Sequence, residues 1–285
     1  MTPNKQKNRR IFQKIVIGIV ALTLVFVFDF WLFSPKEFSS KNEVAGQSQK
    51  LPETGESEKT KDYDLSQFAN NPVDEEEPVL REIKAEVDLS VPFIVQAPFA
   101  EWDDLHNEAC EEAALIIANA WLNDKEPTKE QAEEQILGLV EWQEKNWGGH
   151  YDLNVSDTVR LANQYFNLER IYFTEVKDIE DVKYELSKGN IVIVPTAGRL
   201  LKNLHYRQPG PAYHMVVVKG YDKKEIITND PGTRLGADFK YSYDTFFQAI
   251  HDWPFSLGES TSLSNDEKAE EVKLKGEKMM IVVEK

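Results

Sequence analysis

Tyr213-His214-Met215-Val216-Val217-Val218-Lys219-Gly220-Tyr221 and Glu225-Ile226-Ile227-Thr228-Asn229-Asp230-Pro231-Gly232 flank a polar turn at Asp222-Lys223-Lys224. β-Branched and aromatic residues fill both runs, and the turn interrupts them, which is the pattern of an antiparallel hairpin. A hairpin folded at residue 222 sets His214 and Asp230 opposite each other to within a residue or two. Residues 191–195 (Ile-Val-Ile-Val-Pro) and 279–283 (Met-Met-Ile-Val-Val) read as further strands, and 243–250 as a short helix.

Upstream the pattern is helical, after a short strand expected at residues 91–95. Residues 113–122, Ala-Ala-Leu-Ile-Ile-Ala-Asn-Ala-Trp-Leu, are apolar nearly all round, which predicts a helix buried in the centre of the domain. Thr128-Lys129-Glu130-Gln131 matches a capping box and opens a second helix to about residue 145, broken at Trp147-Gly148-Gly149. Asn154 or Ser156 caps a third, through residue 165. A fourth spans 179–188 and stops at Gly189. Helices first and antiparallel strands second make an α+β arrangement.

Cys110 is the single cysteine of the chain and opens the central helix, so no disulfide within the chain uses it. Free N–H groups and the positive end of the helix dipole favour a thiolate there, while the adjacent Glu111 and Glu112 raise a thiol pKa. A base is therefore required, and His214 is the candidate. Asp230 across the hairpin would hold its tautomer, with Asn229 as the neighbouring alternative on the other face. The Cys110 backbone N–H and the Gln96 side-chain amide are the candidate oxyanion donors. His106 and Cys110 are four residues apart, a metal-ligand spacing, but no second His/Cys pair completes a site, and no cofactor is expected. His150, His205 and His251 have no evident partner. Trp102, Trp142, Trp147 and Trp253 are weighed as the lining of a substrate cleft and assigned to core packing.

Val91-Pro92-Phe93-Ile94-Val95-Gln96, Trp102, Ala109-Cys110-Glu111-Glu112-Ala113, Tyr213 through Asp222, and Asn229-Asp230-Pro231-Gly232 together resemble the papain-like cysteine peptidases akin to bacteriocin-processing, double-glycine peptidases. The resemblance is greater to their stand-alone, membrane-anchored C39-like relatives, and it covers about residues 90–285. It implies a papain-like fold in which the central cysteine helix packs on a C-terminal antiparallel sheet. It also implies Cys110 as nucleophile, His214 as base, Asp230 as its orienter, Gln96 as oxyanion donor, and a peptide or protein substrate. One departure stands out: Cys110-Glu111-Glu112 replaces the usual Cys-Gly-Pro. The transmembrane and ATPase domains of the exporter relatives have no counterpart here, so cleavage coupled to export is not implied. A catalytically inactive binding module and a cell-wall amide hydrolase or acyl transferase are the alternatives on the same fold.

The amino-terminal third reads differently. Lys5, Lys7, Arg9, Arg10 and Lys14 precede an apolar run from residue 15 to 33 whose one charge is Asp29. At 1.5 Å per residue such a helix spans roughly 28 Å, close to the hydrocarbon thickness of a bilayer. Residues 1–35 are therefore expected to form a cytoplasmic basic stub and an uncleaved single-pass signal anchor. The remainder would lie outside the cell membrane. Residues 36–88 are acidic, polar and poor in large apolar side chains, which predicts a disordered linker. Leu51-Pro52-Glu53-Thr54-Gly55 within it matches a sortase signal but stands ahead of the folded part, and is assigned to the linker. Residues 89–285 then form the peptidase-like domain. A net charge of −16 without a basic patch argues against nucleic acid as a partner, and nothing in the sequence sets the oligomeric state.

Overall fold

The computed structural model describes residues 81–285. The anchor run and the sortase-like match lie outside the described residues. Among these, no helix is long and apolar enough to cross a membrane.

The central helix, α2 (Cys110–Leu122), follows a single turn of helix, α1 (Asp104–Asn107). Eleven of the thirteen α2 residues are buried, as its uniform apolarity requires. The next helix, α3 (Lys129–Trp147), begins with the Thr128–Gln131 capping box and ends at Gly148, whose φ of 85° suits a residue without Cβ. Of the two caps weighed for α4 (Val155–Phe166), Asn154 serves, accepting the Asp157 N–H at 2.8 Å. Helix α5 (Ile179–Lys188) runs between Asp178 and Gly189.

Six strands form the sheet path: β2 (Ile171–Glu175), β7 (Met279–Val283), β3 (Ile191–Thr196), β4 (His214–Tyr221), β5 (Glu225–Asn229) and β6 (Phe239–Ser242). The two-residue β1 (Val87–Asp88) pairs with the far end of β4, and every pairing is antiparallel. The α+β class expected from the sequence is the one observed. Helices cover both faces of the sheet. Ile191, Ile193, Met215, Val217, Ile281 and Val283 pack against α2. Val192, Val194, Val216, Val218 and Val282 face Val182 and Leu186 of α5 and Phe246 of α6 (Tyr243–Ala249). Strands buried on both faces read as continuous apolar runs, not as alternation. Each such side chain removed from water contributes roughly 1.5–3 kcal/mol.

Two local expectations are corrected. Residues 91–95 are not a strand. Pro92 lacks a ladder donor, and the carbonyls of Val91 and Pro92 instead accept from the Asn229 side chain at 3.0 and 2.9 Å. Residues 81–88, assigned to the linker, belong to the folded body: Arg81 pairs with Asp181, Lys84 N–H donates to Ser187 Oγ at 3.0 Å, and Lys219 holds Asp88 at 2.5 Å. β2, β6 and α7 (Asn265–Lys275) are additional elements. The last opens at a Ser264–Glu267 capping box that stood unused in the sequence.

Candidate active site

The hairpin of β4 and β5 brings the predicted base and its orienter together. The ladder ends with Val217 opposite Asn229, after a bulge between Val218 and Gly220. Continued one step, this register sets Asp230 across from Val216, and His214 lies two residues further on the same face. His214 Nε2 is 2.8 Å from Asp230 Oδ1, with side-chain exposures of 2% and 0%. Nδ1 is therefore the ring nitrogen left for a nucleophile. Asn229 is turned away, holding Val91 and Pro92 and accepting the Asp238 N–H at 3.2 Å.

Asp230 sits in a cradle that the sequence did not announce. Oδ1 also accepts the Gly232 N–H at 3.0 Å. Oδ2 accepts from the hydroxyls of Tyr206 (2.5 Å) and Tyr241 (2.6 Å) and from Asn203 Nδ2 (3.2 Å). Burial alone would raise this carboxyl, but the His214 charge and these donors outweigh it and hold it below the usual 3.8. The same burial, with the Asp230 charge, pushes both tyrosines up, so they stay protonated as donors. The Tyr206 ring meets His214 edge-on, centroids 5.4 Å apart. Gly232 permits the closeness of this group: a Cβ there would lie 2.8 Å from His214 Cε1 and 2.9 Å from Nε2. Tyr206 lies in a loop without periodicity, and Tyr241 in the strand that sequence reading missed. Only the Asp-Pro-Gly turn carried a signal.

Cys110 is the first residue of α2, and no side chain caps that end of the helix. The thiol is 4% exposed. The backbone amide of Met215, the neighbour of His214, faces its sulfur. The hydrogen bond the thiol donates goes to Glu111 Oε2 at 3.0 Å. Burial, then the Glu111 charge, push the thiol well above its ordinary value. Glu112, expected to act likewise, faces elsewhere: Gln143 Nε2 donates to it at 2.5 Å, and His150 lies 3.3 Å away.

Gln96 is placed close to the others through its backbone, which donates to Pro231 O at 3.0 Å. Its side-chain NH2 is occupied, donating to the carbonyls of His106 (2.8 Å) and Asn107 (3.2 Å), while Oε1 is buried without a partner. As it stands, the amide orders the turn ahead of Cys110 and offers no free N–H to an oxyanion. His106 shares no helix with Cys110, since α1 ends before α2 begins. Its ring is held by Asp103 at 2.7 Å and Glu133 at 3.2 Å. Of the tryptophans, Trp253 is buried and Trp102, on the loop between Gln96 and α1, is 36% exposed. A surface cavity of about 340 Å³ backs onto Asn203 and Tyr241 of the cradle, and neither Cys110 nor His214 lines it.

The model of the peptidase C39-like family matches residues 88–255, a span that holds Cys110, His214 and Asp230. The chain belongs to that family. Among solved structures it is similar to a Bacillus anthracis protein described as a C39-like peptidase, at 18% identity and a TM-score of 0.44, covering 71% of this chain and 99% of that one. It is also similar to xylellain, a cysteine protease from Xylella fastidiosa, at 14% identity and a TM-score of 0.34, covering 71% and 87%. No curated protein matches.

Proposed function

We propose that this C39-like protein is a membrane-anchored, extracytoplasmic thiol hydrolase that cleaves peptide or amide bonds with Cys110, His214 and Asp230. The observation that carries the reading is the buried 2.8 Å hydrogen bond between His214 Nε2 and Asp230 Oδ1. It holds the imidazole in one orientation with Nδ1 left over, beside the strand residue whose amide faces the Cys110 sulfur. Cys110 gives its proton to His214 and attacks the carbonyl. The Cys110 backbone N–H and the Gln96 amide, once released from the His106 or Asn107 carbonyl, hold the oxyanion. His214 then protonates the leaving amine, and water frees the acyl group. Membership of a peptidase family supports a peptide or protein substrate. The basic, apolar amino terminus supports the anchor.

A second reading, an inactive peptidase-like binding module, is favoured by the buried thiol and its bond to Glu111. Iodoacetamide labelling of the full chain at neutral pH, with hydrolysis of peptide and peptidoglycan-derived amide panels, separates the two. The hydrolase requires labelling slowed by His214→Ala and turnover abolished by Cys110→Ala. Labelling indifferent to His214, together with no turnover, leaves the binding module. Alkaline extraction of membranes, followed by protease treatment of intact cells, tests anchoring and sidedness.

A further inference from the structure

Glu111 is fully buried and directly follows the nucleophile, and the catalytic sequence above makes no use of it. Its two oxygens have separate tasks. Oε1 accepts the Leu153 N–H at 2.9 Å, and Oε2 receives the Cys110 thiol at 3.0 Å. An oxygen that already accepts an N–H is the poorer place for a proton, so a protonated Glu111 carries it on Oε2, against the sulfur. Leu153 is held on its other side as well, because its carbonyl accepts the Tyr213 hydroxyl at 2.8 Å, one residue before His214. The carboxyl therefore has little freedom to turn away from the thiol.

Two buried acids 3.0 Å apart do not both carry negative charge. Resting on the hydrolase reading above, we propose that Glu111 is a positioning residue that gates the Cys110 proton. Ionised, it takes the S–H bond and keeps the thiol protonated. Protonated, it donates O–H to the sulfur and supports the thiolate formed when the thiol proton passes to His214 Nδ1. One proton moves, from sulfur to imidazole; the sulfur keeps the electron pair, and the Glu111 proton stays on Oε2.

The surroundings favour the protonated form. Burial, then the charges of Glu112 on the same helix and Asp152 from the loop before α4, hold Glu111 well above its ordinary 4.5. Tyr213 ahead of β4 and Lys268 on α7 also face it, and the Lys268 ammonium is bound to Asp152 at 3.0 Å. The sign follows. Low pH keeps Glu111 protonated and the thiol free to ionise, and rising pH ionises Glu111 and returns the proton to sulfur. Most thiols do the reverse, reacting faster as pH rises.

The single cysteine makes the test direct. Iodoacetamide rate constants are measured against pH on the full chain and on Glu111→Gln, whose amide oxygen takes the Leu153 N–H while its NH2 faces the sulfur at every pH. The wild-type rate should pass through a maximum and decline, and Glu111→Gln should lack the decline and label about tenfold faster on the alkaline side, the ratio of one pKa unit. Superimposable profiles overturn the proposal. If Glu111→Gln does not fold, the infrared S–H band of the unaltered protein decides. A band lowered by hydrogen bonding at alkaline pH and lost at lower pH supports the gate, and an unbonded S–H band throughout overturns it. Labelling needs no turnover. A gate without hydrolysis of any substrate defeats the hydrolase reading alone, and hydrolysis with superimposable profiles defeats the gate alone.

Discussion

Tyr206 and His214 are both held by Asp230, the hydroxyl at 2.5 Å from one oxygen and the imidazole at 2.8 Å from the other. The carboxylate thus joins a loop tyrosine to the proposed base, and the tyrosine ring closes over the imidazole edge-on. A buried carboxylate stays charged only when its lone pairs are met, and here donors from one loop, a turn and two strands meet them.

Asp230→Asn should retain the fold and lose function. The amide keeps the shape but leaves a hydroxyl donor without its charged acceptor, at a cost of about 1–3 kcal/mol. It also loosens the imidazole tautomer, so kcat/KM should fall by about 10²-fold or more. Peptide hydrolysis and a thermal melt on the same sample check both. Unaltered kcat/KM would remove Asp230 from the mechanism.

Tyr206→Phe and Tyr241→Phe should move acid unfolding to higher pH. The Asp230 carboxyl lies below its ordinary 3.8, so the stability it contributes is present above that value and is lost as pH falls through the folded one. Each lost hydroxyl raises the folded value and narrows that window. Both act on one oxygen, so the double variant should depart from additivity by about 0.5 kcal/mol or more. Acid titration followed by circular dichroism reads the shift.

Gly232→Ala separates position from stability. The new Cβ would press on His214 Cε1 and Nε2 at under 3 Å and displace the ring from Asp230. Overpacking of this kind costs about 1–3 kcal/mol, and hydrolysis should fall at least about tenfold in protein that still melts cooperatively. Wild-type activity in Gly232→Ala would mean that the ring position is not needed.

Asp252 predicts an opposite pH dependence. Burial pushes its carboxyl up to about 7, although it accepts the Val155 N–H at 3.0 Å. A carboxyl raised on folding favours the folded state below its unfolded value near 3.8, and that advantage is lost as pH rises toward 7. Asp252→Asn keeps the oxygen for Val155 and removes the charge. It should stabilise the protein by about 1–3 kcal/mol at pH 8 and change little at pH 4, as urea titrations at the two pH values would read.

The local elements were legible because their signals are local. Thr128 with Gln131, Asn154 with Asp157, and Gly189 after α5 are caps within four residues of the chain they terminate. The hairpin followed from two β-rich runs about a polar turn, and its offset stayed within the two residues expected. Residues 91–95 misled because Pro92 and its neighbours are held by the side chain of Asn229, a partner far along the chain. β6 was missed because only one of its four residues is buried, leaving little apolar pattern.

By itself the sequence determined the α+β order, the helix that begins at Cys110, and the hairpin that relates His214 to Asp230, because backbone periodicity and capping act over a few residues. Only the tertiary structure decided that helices cover both sheet faces, that two tyrosines and Asn203 hold Asp230, that the Gln96 amide is occupied, and that the thiol meets Glu111 while Glu112 turns to Gln143. Those contacts depend on which rotamers and which distant segments fill one buried interior. Neighbours as close as Glu111 and Glu112 diverge there, because a helix turns about 100° between them.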